Sequence, residues 1–216
     1  MIAIDLHVHT RRYSECAELL DPLDLVEGMQ RCGLQGAVLT EHDVLWGRDE
    51  LAALNRLAAP CRIYRGVEVS TREGHIVVIG IERDDALKAG MKIAELAEFV
   101  QAEKAVAIWA HPPEASICVP FSAESRKIAA SIDAVEVLST VTINERSAAA
   151  EAFAKYHRLA SVAGSDAHYP EQIGAVGTVF RTLPDDEKAL ARMIKQGEGQ
   201  PMRWEQRRRD RICHVA

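Results

Sequence analysis

Met1–Thr10 reads MIAIDLHVHT, an apolar run that ends in Asp5-Leu6-His7-Val8-His9-Thr10. Met1–Leu6 has the composition of a strand. In extended chain, residues two apart point the same way, so His7 and His9 aim at one place. The arrangement recurs along the sequence. His42 follows the strand expected over Gln35–Thr40, in Thr40-Glu41-His42-Asp43, and Glu68 closes the one over Cys61–Val69. His75 opens the strand over His75–Ile81, and His111 follows the one over Ala105–Ala110. Asp166 and His168, again two apart, follow Ala160–Ala163. Imidazoles and carboxylates gathered in this way suit zinc, manganese or iron. Of the 8 histidines, only His157, in a helical stretch, and His214, near the end of the chain, fall outside the pattern.

Between these strands lie helical patterns. Asp21–Cys32 starts with a capping aspartate and a first-turn proline and ends at Gly33; Arg48–Ala58 ends before Pro60. Met91–Lys104, Ser122–Ala130, Asn144–Tyr156 and Asp185–Gln196 complete the set, with a short turn at Glu171–Ile173, a strand at Ala134–Leu138 and another at Gly177–Phe180. Alternating strands and helices with continuously apolar strands predict a parallel sheet covered by helices. Seven or eight strands without a Gly-x-Gly-x-x-Gly turn favour a closed barrel, in which the C-terminal strand ends converge on one face and build the site there.

Composition bounds what remains. The 216 residues suit one domain, and 48% hydrophobic content rules out global disorder. A net charge of −6 and 5% aromatic residues argue against a nucleic-acid binder built on a basic face or on stacked rings. No apolar run is long enough to span a bilayer, and no signal peptide is read at the N-terminus. Cys16, Cys32, Cys61, Cys118 and Cys213 are odd in number and form no Cys-x-x-Cys, which fits reduced thiols in a cytoplasmic protein. The expected organisation is a barrel over residues 1–199 and a basic tail over 200–216, carrying Arg203, Arg207, Arg208, Arg209 and Arg211, read as solvated.

In their order and spacing these motifs resemble the PHP (polymerase and histidinol phosphatase) family over Met1 to about Phe180. The pieces are Asp5-Leu6-His7-Val8-His9-Thr10, Thr40-Glu41-His42-Asp43, Gly66-Val67-Glu68-Val69, Gly74-His75, Ala110-His111-Pro112 and Gly164-Ser165-Asp166-Ala167-His168. The resemblance implies a distorted (β/α)7 barrel, a centre of two or three divalent metal ions (Zn, Mn or Fe), and hydrolysis of phosphoesters. Carried onto matching positions, it implies that His7, His9, Glu68 and Asp166 hold one ion. Glu68 bridges to a second, completed by His75 and His111, and His42 and His168 hold a third. The family supplies one more ligand shortly after the His-x-His, and Glu15 is the candidate here.

In such a site, metal ions about 3.5–4 Å apart lower the pKa of a bridging water from about 15.7 to about 7, and the hydroxide attacks phosphorus. Glu68, Asp166 and His168 stand nearest the chemistry. No serine or cysteine nucleophile is needed, and no Gly-x-Ser-x-Gly is present. Asp5 could orient a ligand imidazole. Arg11 or Arg12, just beyond His9, could hold a substrate phosphate. Glu136 and Asn144 border another strand end, and Ser165 suits a turn better than a nucleophile. With loops only at Cys16–Pro22, Pro112–Phe121 and Tyr169–Val176, the expected partner is a small phosphorylated substrate, a nucleotide or a short oligonucleotide. Two other readings compete. One is an amidohydrolase-type C–N hydrolase, whose metals are often bridged by a lysine where this chain has Glu68. The other is a non-catalytic, metal-stabilised module.

Overall fold

The computed structural model describes residues 1–142 and 145–203. Asn144 and the expected tail residues Arg207, Arg208, Arg209, Arg211, Cys213 and His214 lie outside the described residues. In chain order the elements are β1 (Ile2–Val8), α1 (Pro22–Cys32), β2 (Gly36–Leu39), α2 (Arg48–Ala58), β3 (Arg62–Thr71) and β4 (Gly74–Ile79). Then come α3 (Ile93–Ala102), β5 (Val106–Trp109), α4 (Glu114–Ile117), α5 (Ala123–Ala129), β6 (Ala134–Leu138) and α6 (Glu145–His157). The chain continues with β7 (Ala160–Ala163), β8 (Val176–Phe180), α7 (Glu187–Lys195) and β9 (Gln200–Arg203). The expected strands and helices form with ends shifted by a few residues; α4 and β9 carry no signal that the sequence pattern detects. β9 extends the sheet into the stretch read as tail.

Local chemistry explains the boundaries. Asp21 accepts a hydrogen bond from the Leu23 N–H while Asp24 accepts from the Asp21 N–H, and Pro22 occupies the first turn of α1. Gly33 ends that helix at φ 70°, in the left-handed region that glycine tolerates best.

The strands form one sheet in the order β7-β6-β5-β4-β3-β2-β1-β8-β9. It curls into a nearly closed barrel. Ile4, Leu6, Val38, Tyr64, Val77 and Ile108 fill the inside, and α7 adds Leu190 and Ile194 to the same cluster. Two further clusters pack the helices outside: α1 and α2 against β1 and β2, and α3, α5 and α6 against β4, β5 and β6. Among the described residues no helix is long and apolar enough to cross a membrane.

The expectation of an all-parallel sheet needs correction. β4 runs antiparallel to both β3 and β5, and β8 antiparallel to β1. Only Arg72 and Glu73 separate β3 from β4, and so short a link makes a hairpin, never a parallel crossover. The reversal matters for function. It brings the start of β4, with His75, to the same barrel end as the C-terminal ends of β3 and β5, and Ser70 pairs with His75 across the hairpin.

Closure occurs at that end as well. The Asp166 N–H donates to the His7 carbonyl at 2.8 Å, and the His9 N–H donates to the Ala167 carbonyl at 3.0 Å, so β1 meets the segment after β7. Lower down, the Thr178 hydroxyl of β8 donates to the Ala163 carbonyl and accepts from its N–H, tying β8 to β7. At the crossing, Gly164 presses on β1: a Cβ there would lie 2.5 Å from His7 Cβ and 2.7 Å from His7 N. Gly164→Ala must therefore push backbone apart. It is expected to cost about 1–3 kcal/mol in chemical denaturation of the metal-free protein. A loss below about 0.5 kcal/mol would show that the two segments separate freely.

Candidate metal centre

A β-bulge sets the site's first residues. Between the pairs Asp5–Ala37 and Val8–Leu39, β1 carries one residue more than β2. A bulge shifts the in–out alternation of a strand. Thus Ile4 and Leu6 fill the barrel interior, yet His7 and His9 also turn to its mouth. Both rings are fully buried, with their Nε2 atoms 3.0 Å apart.

Glu68, also fully buried, stands at the centre. One carboxylate oxygen, Oε1, lies 3.1 Å from His75 Nδ1, 3.1 Å from His111 Nε2 and 3.4 Å from His7 Nε2. The other, Oε2, lies 3.0 Å from His42 Nδ1 and 3.2 Å from His9 Nε2. Asp166 approaches from the closing segment, 3.4 Å from His9 Nε2 and 3.5 Å from His7 Nε2. The donors fall into four overlapping groups: His7–His9–Asp166, His7–Glu68–His111, His42–Glu68–His75 and His9–His42–His168. His75 thus shares a group with His42, whereas the resemblance paired it with His111. Asp166 and His111 sit at positive φ, 56° and 27°, where non-glycine residues are strained.

These residues fit divalent cations. Glu68 Oε2 and His75 Nδ1 are buried without a hydrogen-bond partner, a costly state that coordination would relieve. On two of the rings the other nitrogen is engaged. His7 Nδ1 meets Glu136 Oε2 at 2.8 Å, and His168 Nδ1 donates to the Asp166 carbonyl at 2.9 Å. A ring that donates from Nδ1 turns the Nε2 lone pair to the metal. The floor of His7, His9 and Glu68 is buried, while His42, His75, His111 and His168 form a half-exposed wall.

Other expected residues lie elsewhere. Glu15 is exposed at the start of a 3-10 turn, Glu15–Ala17, and belongs to none of the donor groups. Ser14, just before it, is buried and donates to Glu41, which leaves residue 15 on the outer side of the turn. Arg11 pairs with Asp21 and Arg12 with Glu50, both on the surface, where carboxylates claim the guanidinium groups that were expected to meet phosphate. Asp5 orients no imidazole. It accepts from the N–H groups of His7 and Ser165, and burial pushes its carboxyl up to about 6. Ser165 is buried in the closing segment, its hydroxyl donating to the His7 carbonyl.

Two buried acids carry more of the site than the sequence pattern indicated. Glu136 fixes His7 and also accepts from the His111 N–H. Glu41 accepts from Thr10, Ser14 and Trp46, pinning the loop beyond His9. Both stand in expected strand or motif positions, but their partners are remote in sequence.

The electrostatics follow. Burial alone would raise the Glu68 carboxyl; the facing His7 ring, with His111 and His42 beside it, holds it well below the usual carboxylate range. Burial opposes charge on His7, yet Glu68, Glu136 and Asp166 together hold that ring well above its ordinary value. Burial likewise opposes charge on His9, and Asp166 and Glu68 raise it. A cation must displace these protons. Raised imidazole pKa values mean that protons remain bound further up the pH scale, so cation affinity is expected to fall as pH drops from about 8 to about 6 in a competition titration. Flat affinity over that interval would remove these histidines from the ligand set. Glu136→Gln is expected to weaken cation binding by about 10–100-fold in the same titration, because it releases the His7 ring.

Comparison with known proteins places this geometry. Residues 144–198 match the family model described as PHP-associated. No curated protein sequence matches the chain. Among solved structures, a two-domain protein of Bacteroides vulgatus containing a predicted PHP-like metal-dependent phosphoesterase superposes with a TM-score of 0.69 at 18% identity, covering 93% of this chain and 64% of that one. An amidohydrolase of Chromobacterium violaceum, with bound sulfate and no metal, gives 0.62 at 17% identity, covering 93% and 98%. A lesion-specific endonuclease of Pyrococcus furiosus gives 0.62 at 16% identity, covering 93% and 57%. The chain thus spans less than two thirds of the first and third of these proteins. The chain therefore shares the barrel fold of these proteins, and its residues 144–198 are similar to the PHP-associated family.

Proposed function

We propose that the chain hydrolyses a phosphoester, most simply a small phosphomonoester or a nucleotide, with the help of two or three divalent cations. The observation that carries this reading is the buried Glu68 carboxylate with five imidazole nitrogens within 3.4 Å of it. Its position between two donor groups, His7–Glu68–His111 and His42–Glu68–His75, suits a carboxylate shared by two cations.

His7, His9, Asp166 and Glu68 would hold one cation, Glu68 with His111 and His75 a second, and His42 with His168 a third. Such cations supply Lewis acidity to a phosphoryl group and make water a nucleophile near neutral pH. The chain's own residues do the rest. Glu136 keeps His7 in the tautomer that offers Nε2 inward. Glu41 and Ser14 hold the loop beyond His9. The half-exposed wall leaves the mouth open to a substrate whose phosphate protrudes, and the carboxylates of Glu68 and Asp166 only partly offset two or three dications, so the loaded site attracts a dianion. Zinc, manganese and iron all suit the donor set.

The likeness to the Chromobacterium amidohydrolase over nearly its whole length keeps C–N hydrolysis as a second reading. Against it, Glu68 stands where that class often carries a bridging lysine.

A panel of phosphomonoesters, mononucleotides and short oligonucleotides, assayed with added Mn²⁺ beside amide and lactone substrates, separates the two. Phosphate release by the native chain is expected, with His7→Ala or Glu68→Gln lowering it by at least about 10²-fold. Turnover of amides or lactones alone would overturn the phosphoesterase reading in favour of C–N hydrolysis.

A further inference from the structure

The hydrogen bonds around Glu41 run in one direction only. Its Oε1 accepts from the Thr10 hydroxyl and the Trp46 indole N–H, and its Oε2 from the Thr10 N–H and the Ser14 hydroxyl, the last at 2.5 Å. Four donors fill both carboxylate oxygens, so the single hydroxyl proton of Ser14 is committed to Glu41. The Ser14 oxygen keeps two lone pairs. One accepts from the His42 N–H at 3.3 Å, a group that can only donate. The other faces His9 Nδ1, also at 3.3 Å. Ser14 has no second proton to give, so His9 Nδ1 is the donor and carries a proton. Glu41, Ser14 and His9 are each at most 2% exposed, so solvent does not compete for these bonds.

We propose that Ser14 and Glu41 are positioning residues of the barrel mouth: they hold His9 in the tautomer with its proton on Nδ1, so that Nε2 is the nitrogen offered to a cation. Neither residue touches the cation. Which imidazole nitrogen coordinates is set by the hydrogen bond that the other one makes. His9 Nε2 belongs to two donor groups, His7–His9–Asp166 and His9–His42–His168. With Nδ1 tied to Ser14 the ring keeps one lone pair and serves one cation at a time. The same Ser14 oxygen fixes the His42 backbone, so the segments that follow β1 and β2 present their imidazoles from one shared anchor. The proposal rests on the reading of the barrel mouth as a metal centre, and its test reads the two separately.

The full chain, its histidines labelled with nitrogen-15, is loaded with zinc, and the ring nitrogens are followed in proton–nitrogen correlation spectra, with His9 assigned by its absence in His9→Gln. His9 is expected to carry its proton on Nδ1, as a resonance slow to exchange with solvent, and zinc on Nε2. In Ser14→Ala the slow exchange should be lost, and zinc affinity in a competition titration should fall by about 10-fold. Ser14→Thr, which keeps the oxygen, should bring both back toward the native values. The native spectrum decides even where the alanine variant does not fold: a His9 proton on Nε2, with zinc on Nδ1, overturns the positioning role and leaves the metal centre intact. A folded Ser14→Ala protein with native zinc affinity and native exchange does the same. Failure of the native chain to bind zinc overturns both.

Discussion

A carboxylate taken fully out of water costs several kcal/mol unless positive charge compensates it, and this barrel places Glu68, Glu136 and Asp166 together at its mouth. Among the described residues the one buried guanidinium, Arg65, is occupied by the Trp46 carbonyl and Glu82. The compensation at the mouth therefore comes from imidazoles, either as cations themselves or as ligands of cations. Every imidazole of the cluster either touches Glu68 or belongs to a donor group with one that does. A cation at this point would relieve an acid whose Oε2 is buried without a hydrogen-bond partner.

The backbone serves this arrangement in three places. The bulge in β1 turns His7 and His9 to the mouth although Ile4 and Leu6, on the same strand, fill the core beneath. The antiparallel β4 brings His75 to the end where the other donors gather. The hydrogen bonds that close the barrel, from Asp166 to His7 and from His9 to Ala167, run between the residues that hold the site. Closing the fold and assembling the donors are one event, and Gly164 is the residue whose missing side chain permits the approach.

Much of this is legible in the residues themselves. An apolar run followed by His-x-His or Asp-x-His needs no tertiary information to mark a strand end with convergent ligands, because the two-residue period of extended chain is local. Asp21, Pro22 and Gly33 mark the limits of α1 by equally local chemistry. Glu136 and Glu41 were harder to place. Each is a plain acid in a strand or motif, and its role depends on partners such as His7 and Ser14 that only folding brings near. Arg11 and Arg12 show the converse: proximity to His9 in sequence suggested a phosphate contact, and surface carboxylates hold them.

The sequence by itself determined the order of the strands and helices other than α4 and β9, the barrel class and eight donor residues that converge on one cluster, since each follows from short-range periodicity and from residue chemistry. Only the tertiary structure decided the direction of β4, the point of closure, and that Cys16, not Glu15, faces His168. Those are matters of angle and distance between segments far apart in the chain. A one-residue change in how a turn is anchored exchanges which side chain looks inward, and no local pattern records it.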